Sequence, residues 1–210
     1  MRIDRPALSE ELNAAPEPST PRQAATVVVL RGGPDTLEVL MVQRNPEQRF
    51  MGGAWVFPGG AVDAHEAEQA PGDLAHRRAA VRELEEEASV VLPGPDALVT
   101  YSRWVTPEAI KTRFDTRFFL AAAPEGTEPR VDGRECVDVR WLAPADAIAA
   151  YGRGELVLVF PTLKTLEDLG RHGSADAALA AGGGDPEAII PRVLIEQGAA
   201  RVVLPGEPGY

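Results

Sequence analysis

The chain has 210 residues, 44% of them hydrophobic, which is enough for one generous domain with a sizeable core. Its formal net charge of -11 excludes the broad basic surface that a nucleic-acid binder presents to phosphates, so no nucleic acid partner is expected. A single cysteine, Cys136, excludes an internal disulfide, and there is neither an apolar leader nor a run of roughly 18 apolar residues; the expectation is a cytoplasmic protein with no membrane partner.

Pro6, Pro16, Pro18 and Pro21, set among polar and alanine positions, predict an extended arm over residues 1–22. Ala25 to Leu30 then reads as a buried strand, and Gly32-Gly33-Pro34-Asp35 as a turn into a second strand from Leu37 to Gln43, together a hairpin. Trp55-Val56-Phe57 is a short strand stopped by Pro58-Gly59-Gly60. From Asp73 the period changes: Leu74, Val81, Leu84, Ala88 and Val91 form one stripe of a helix, which Pro93-Gly94-Pro95 ends. Strands follow at Leu98 to Val105, Arg117 to Ala123 and Cys136 to Leu142, then a helix from Pro144 to Tyr151. Beyond lie a helix opened by Pro161, an alanine-rich helix over Ala175 to Ala181 and a triple-glycine break. The expected organisation is an arm over 1–22, a main domain over 23–152 and a C-terminal helical extension over 153–210. That extension packs on the main domain or on a partner, as in a homodimer.

The helix beginning at Asp73 carries the informative chemistry. With Glu83 at zero, an advance of about 100° per residue puts Glu86 at about 300° and Glu87 at about 40°, so three carboxylates share one face while the apolar stripe lies about 140° away. Unpaired they repel, and a divalent cation with oxygen ligands, Mg²⁺ or Mn²⁺, relieves that repulsion directly; a solvated acidic face is the alternative. Arg82 sits four residues before Glu86 and can pair with it. Upstream, the Gly59-Gly60 turn lets bare backbone approach a ligand.

Taken together, Gly60, Glu66, Arg82, Glu83, Leu84, Glu86, Glu87 and Val90 resemble the Nudix box, G-x5-E-x7-R-E-U-x-E-E-x-G-U, where U is aliphatic. Two positions depart from it. Fifteen residues rather than seven separate Glu66 from Arg82, an insertion that leaves Glu68 as an alternative to Glu66. Ser89 stands where the pattern has glycine; if the position needs positive φ the serine is strained by roughly 1 kcal/mol, and otherwise the helix runs on to Leu92.

The resemblance implies an α/β/α sandwich on a mixed β-sheet, and a hydrolase of nucleoside diphosphate derivatives that uses Mg²⁺ or Mn²⁺. It further implies that Glu83, Glu86 and Glu87 are metal ligands, joined by a backbone carbonyl of Gly59 or Gly60, and that Arg82 orients Glu86. A general base outside the box is expected; Glu135 is the candidate, with Asp138 and Asp132 as competitors.

For the substrate, Arg44, Arg49, Gly53 and Phe57-Pro58-Gly59-Gly60 match over seventeen residues the spacing of the segment before the box in coenzyme A diphosphatases. Asn45, Met51 and Ala54 differ from that signature. Two later runs, Ser102 to Pro107 and Arg113 to Leu120, resemble the longer, peroxisomal-type members of the same branch. Arg44 and Arg49 are therefore candidates for substrate phosphates and Phe57 for the same site, while Trp104 and Phe114 either stack on a base or belong to the core. ADP-ribose, NADH and dinucleotide hydrolysis are the alternative activities, and a ligand-binding module without catalysis is the alternative class.

Overall fold

The computed structural model describes Asn13 and residues 17–70, 72–196 and 199–210. Most of the expected N-terminal arm, with Pro6 and Pro16, lies outside these residues.

The first strand, β1 (Arg22–Arg31), is buried on both faces from Ala24 through Leu30, apart from half-buried Thr26, as its run of small and β-branched residues demands of a central strand. It pairs antiparallel with β2 (Glu38–Arg44), Leu30 opposite Val39, which forms the expected hairpin. On its other edge it runs parallel to β6 (Phe114–Ala122), in register from Arg22 opposite Phe114 to Leu30 opposite Ala122. β6 pairs antiparallel with β5 (Val99–Val105), and β7 (Cys136–Leu142) pairs antiparallel with β2. The sheet is therefore mixed, ordered β3-β2-β1-β6-β5-β8, with β3 at Trp55–Val56 and β8 at Ala188–Ile189.

One expectation fails next to the site. Pro58-Gly59-Gly60 does not simply end a strand: Gly59–Ala61 forms a further strand, β4, antiparallel to β1 with Gly60 opposite Ala25.

Alternation along β1 divides the core. Val28 and Leu30 face one apolar layer with Met41, Trp55, Phe57, Trp104 and Leu120; Ala25, Val27 and Val29 face the other with Leu40, Val42, Phe119 and Ala121. The second layer is roofed by α2 (Asp73–Ala88), the first by α3 (Pro144–Gly152), α4 (Phe160–Leu169) and α5 (Ala175–Ala181). This is the α/β/α sandwich.

Leu163, Leu166, Leu169, Ala175 and Ala178 are buried in the first layer, so α4 and α5 complete the same sandwich whose sheet the earlier segments build. The last segment is not helical as expected. β8 adds to β5 in parallel, and β9 (Arg192–Glu196) with β10 (Ala199–Val203) makes an antiparallel hairpin. The β-branched Val193, Ile195, Val202 and Val203 of this stretch favour strand. Among the described residues no helix is long and apolar enough to cross a membrane.

Candidate active site

Three elements meet at one end of the sheet: β4, α2, and a short helix α1 (Ala64–Gln69) leading into the stretch that sequence reading treats as an inserted loop. The helix starts before the inserted residues, at Asp63-Ala64-His65-Glu66, the spacing of a capping box, in which Glu66 reaches back to accept from the Asp63 N–H at 2.8 Å. A second anchor at the start of α2 is buried His76. Its Nδ1 lies 2.9 Å from the Gly72 carbonyl and its Nε2 3.0 Å from Gln23 Oε1, tying the helix entry to β1.

The face of α2 that docks on the sheet differs from the expected stripe. Leu84 and Ala88 are buried as predicted and Val81 is half-buried, but Leu74 and Val91 are exposed, and the buried arc turns instead through His76, Ala79, Ala80 and Glu87. Val91 leaves the stripe because the helix stops at Ala88: Ser89 has φ 53 and ψ 32, the left-handed conformation, and its N–H donates to Glu85 O at 3.0 Å. The serine thus carries the strain that a glycine would avoid, and no helix continues to Leu92.

That rotation makes the three carboxylates unequal. Glu86 is 59% exposed, Glu83 13% and Glu87 only 3%. Glu87 Oε2 accepts from the Gly59 N–H at 3.0 Å, and its Oε1 lies 3.9 Å from the Arg44 guanidinium. Burial pushes the Glu87 carboxyl up to about 7; the Gly59 N–H and Arg44 oppose the shift, while the charges of Glu83 and Glu135 add to it. Glu83 is likewise raised, chiefly by burial, with Arg82 opposing and Glu86 and Glu135 adding.

Arg82 does more than orient Glu86. It donates to Glu66 at 3.0 Å, to Glu83 at 2.8 Å, to Glu86 at 3.1 Å and to the Ala61 carbonyl at 3.1 Å, so one guanidinium joins α1, α2 and β4. Burial alone would raise the Glu66 carboxyl, but the Arg82 hydrogen bond and the Asp63 N–H outweigh it and hold that carboxyl below its ordinary value. Of the two candidates for the box position, Glu66 is the one bonded to Arg82, and Glu68 is exposed. Leu84 and Val90, the aliphatic positions of the motif, are buried in the core beneath.

Close backbone approach requires glycine at 59, and at 60 a side chain would displace the Glu83 carboxylate. A Cβ on Gly59 would lie 2.4 Å from the Ala25 carbonyl oxygen, and one on Gly60 would lie 2.3 Å from a carboxylate oxygen of Glu83. Backbone and carboxylate are thus in direct apposition at this turn.

The remaining predicted residues divide. Glu135 is exposed just before β7; its carbonyl accepts from the Asn45 N–H, next to Arg44, and its charge adds to the upward shift of Glu83 and Glu87. Its competitors are engaged elsewhere: Asp132 accepts from the Glu135 and Cys136 N–H groups at 2.9 Å each, and Asp138 is held by Arg140. Arg44 faces the cluster, and Arg49 stands exposed on the adjoining loop. Phe57 does not: it is 3% exposed and packs among Trp55, Met41 and Leu158, so its size serves the core. Trp104 is core as well, edge-on to Phe160. Sequence periodicity gave no sign of Cys136, buried next to Glu87, whose thiol is raised far above its usual range by burial and by that carboxylate.

The donors gathered here are hard oxygens of the type that Mg²⁺ and Mn²⁺ take, and like-charge crowding about a buried carboxylate is what a divalent cation relieves. Glu83 and Glu86 are turned to Arg82, and among the described residues no three His, Cys, Asp or Glu side chains already stand together as a ligand set.

Comparison with known proteins gives a consistent answer. The family model described as NUDIX domain matches residues 20–160. The human acyl-coenzyme A diphosphatase NUDT19 is 25% identical over 76% of this chain and 71% of its own length. A Caenorhabditis elegans protein named as a nudix hydrolase is 28% identical over 70% of this chain, which spans 60% of that relative. Among solved structures, a NUDIX hydrolase from Alicyclobacillus acidocaldarius superposes with a TM-score of 0.72 at 30% identity, covering 80% of this chain and 99% of that one.

Proposed function

The chain belongs to the Nudix hydrolase family, and from that premise we propose that it hydrolyses the diphosphate linkage of a nucleoside diphosphate derivative, with Mg²⁺ or Mn²⁺ held by Glu83, Glu86 and Glu87 and a backbone carbonyl of Gly59 or Gly60. The observation that carries this reading is the apposition of Glu83 to Gly60 and of Glu87 to Gly59, with Arg82 gripping Glu83 and Glu86 from the side.

When bound, such ions neutralise the diphosphate, lower the pKa of a water molecule and stabilise the departing phosphate oxygen. The chain's own residues do the rest. Arg82, braced by Glu66, holds Glu83 and Glu86 beside the glycine turn, from which they turn to a bound ion. Glu135, exposed and close enough for its charge to be felt by Glu83 and Glu87, accepts the proton of the attacking water. Arg44 and Arg49 meet phosphate oxygens of the substrate.

Coenzyme A or an acyl derivative is the substrate we favour, supported by the Arg44 to Gly60 spacing and by the likeness to an acyl-coenzyme A diphosphatase. The test is a panel of coenzyme A, ADP-ribose, NADH and dinucleoside polyphosphates, each with Mg²⁺ and with Mn²⁺. Release of 3',5'-ADP from coenzyme A compounds is the expected result, lost in Glu87→Gln and Glu86→Gln variants that keep the wild-type circular dichroism spectrum. Unchanged turnover in those variants would sink the metal assignment. Cleavage of none of the panel would favour a binding module.

A further inference from the structure

We infer that Phe50 is the stacking platform for the nucleobase of the substrate and so determines specificity; the inference rests on the nucleotide-hydrolase reading above. Phe50 is 41% exposed, and Met51 beside it is also exposed. The two are adjacent, a contiguous apolar patch rather than a scattered residue.

Contiguity with the site is direct. Arg44 donates through Nε to the Phe50 carbonyl at 3.3 Å, while its Nη1 lies 3.9 Å from Glu87 Oε1, so a single guanidinium spans the gap between carboxylate cluster and loop. The loop is built rather than loose. Gly53 N–H donates to the Arg44 carbonyl, Ala54 N–H to Met51, Asn45 N–H to Glu135, and Asn45 Nδ2 to Arg134. The ring itself is braced by Phe114, with centroids 5.8 Å apart and planes at 48°, and Phe114 in turn lies under the Arg22 guanidinium at 5.9 Å.

Three further features point to a ligand of nucleotide type. Among the described residues only two that are not glycine have positive φ, Ser89 at the end of the catalytic helix and Met51 next to Phe50; strain of this kind is retained where a site needs it. Two arginines border the loop in a chain that is otherwise acidic, Arg44 bonded to the Phe50 carbonyl and Arg49 next to it in sequence and exposed, which suits a base carried on phosphates. Neither the 430 Å³ cavity beside Leu30 and Leu179 nor the 300 Å³ cavity between Arg77 and Arg117 includes a residue of this loop. What the loop offers is a flat ring, the complement of a planar base rather than of a buried alkyl chain.

The experiment is calorimetric titration with ADP and, separately, with inorganic pyrophosphate, both with Mg²⁺ present, on the wild type, Phe50→Ala and Phe50→Tyr. Loss of base stacking in Phe50→Ala is expected to weaken ADP by about fivefold or more, to leave pyrophosphate unchanged, and to be reversed in Phe50→Tyr. ADP affinity unaltered in Phe50→Ala, or ADP and pyrophosphate weakened alike, overturns the platform. So does a wild type that binds pyrophosphate and not ADP. The two readings fail separately: discrimination lost in Phe50→Ala without any diphosphate being cleaved upholds the platform and removes the hydrolase, whereas cleavage with indifferent ADP binding does the reverse.

Discussion

The two helical layers of this sandwich cover the same sheet with opposite materials. α4 buries Leu163, Leu166 and Leu169 in the layer on the other face of the sheet from α2, whereas α2, packed on β1 and β4, buries Ala75, Ala79, Ala80 and Ala88, with Leu84 the one large aliphatic residue in its buried arc. Leucine fills volume and excludes water, which is how a layer contributes stability. Alanine contributes less burial but lets a helix settle close, and only close approach brings Glu83 against Gly60 and Glu87 against Gly59. One layer is built for holding the fold, the other for placing charge against backbone.

Four substitutions probe that contrast, beginning with the largest effect. Leu166→Ala opens a cavity in the leucine layer and is expected to cost about 2–5 kcal/mol in urea unfolding, while kcat of the molecules that remain folded is unchanged. A large loss of kcat there would mean that the layers are coupled. Ala80→Leu overfills the α2 contact, at about 1–3 kcal/mol; here turnover is expected to drop as well, because the helix is lifted from β4. Retention of full activity would show that close approach is not what the alanines provide.

Arg82→Lys keeps the charge but loses the planar fork that reaches Glu66, Glu83, Glu86 and the Ala61 carbonyl together. Turnover or metal affinity is expected to fall about 10–100-fold with thermal stability little altered, and steady-state kinetics across a Mg²⁺ series will separate the two. The smallest effect belongs to Ser89→Gly, which relieves the left-handed strain at the helix end and raises stability by about 1 kcal/mol. A destabilised Ser89→Gly would mean that the serine has a compensating role.

The legible part of the site was the part written in local spacing. Glu83, Glu86 and Glu87 on one helical face, an arginine four before Glu86 and a double glycine at a strand end point to chemistry on α2 and at the turn of β4. The capping-box spacing at Asp63 was there to be read and would have revealed α1. Phe57 was misread because an aromatic in a substrate-like motif and an aromatic in a core have the same sequence appearance; only packing against Trp55 and Leu158 separates them.

What the sequence determined by itself was thus the order of most strands and helices, the helix that carries the carboxylates and their angular spread, since each follows from hydrophobic period and residue spacing along one element; the sandwich came with the resemblance to the Nudix box. How far the helix is rolled about its axis is not a local property. It depends on which side chains fit against β1 and β4, and that tertiary fit buried Glu87, left Glu86 in solvent, brought Glu66 from another helix to Arg82 and brought the charge of Glu135 to bear on Glu83 and Glu87. Burial and charge proximity across elements exist only once the chain has closed on itself, so the inequality of the three glutamates was decided by the tertiary structure alone.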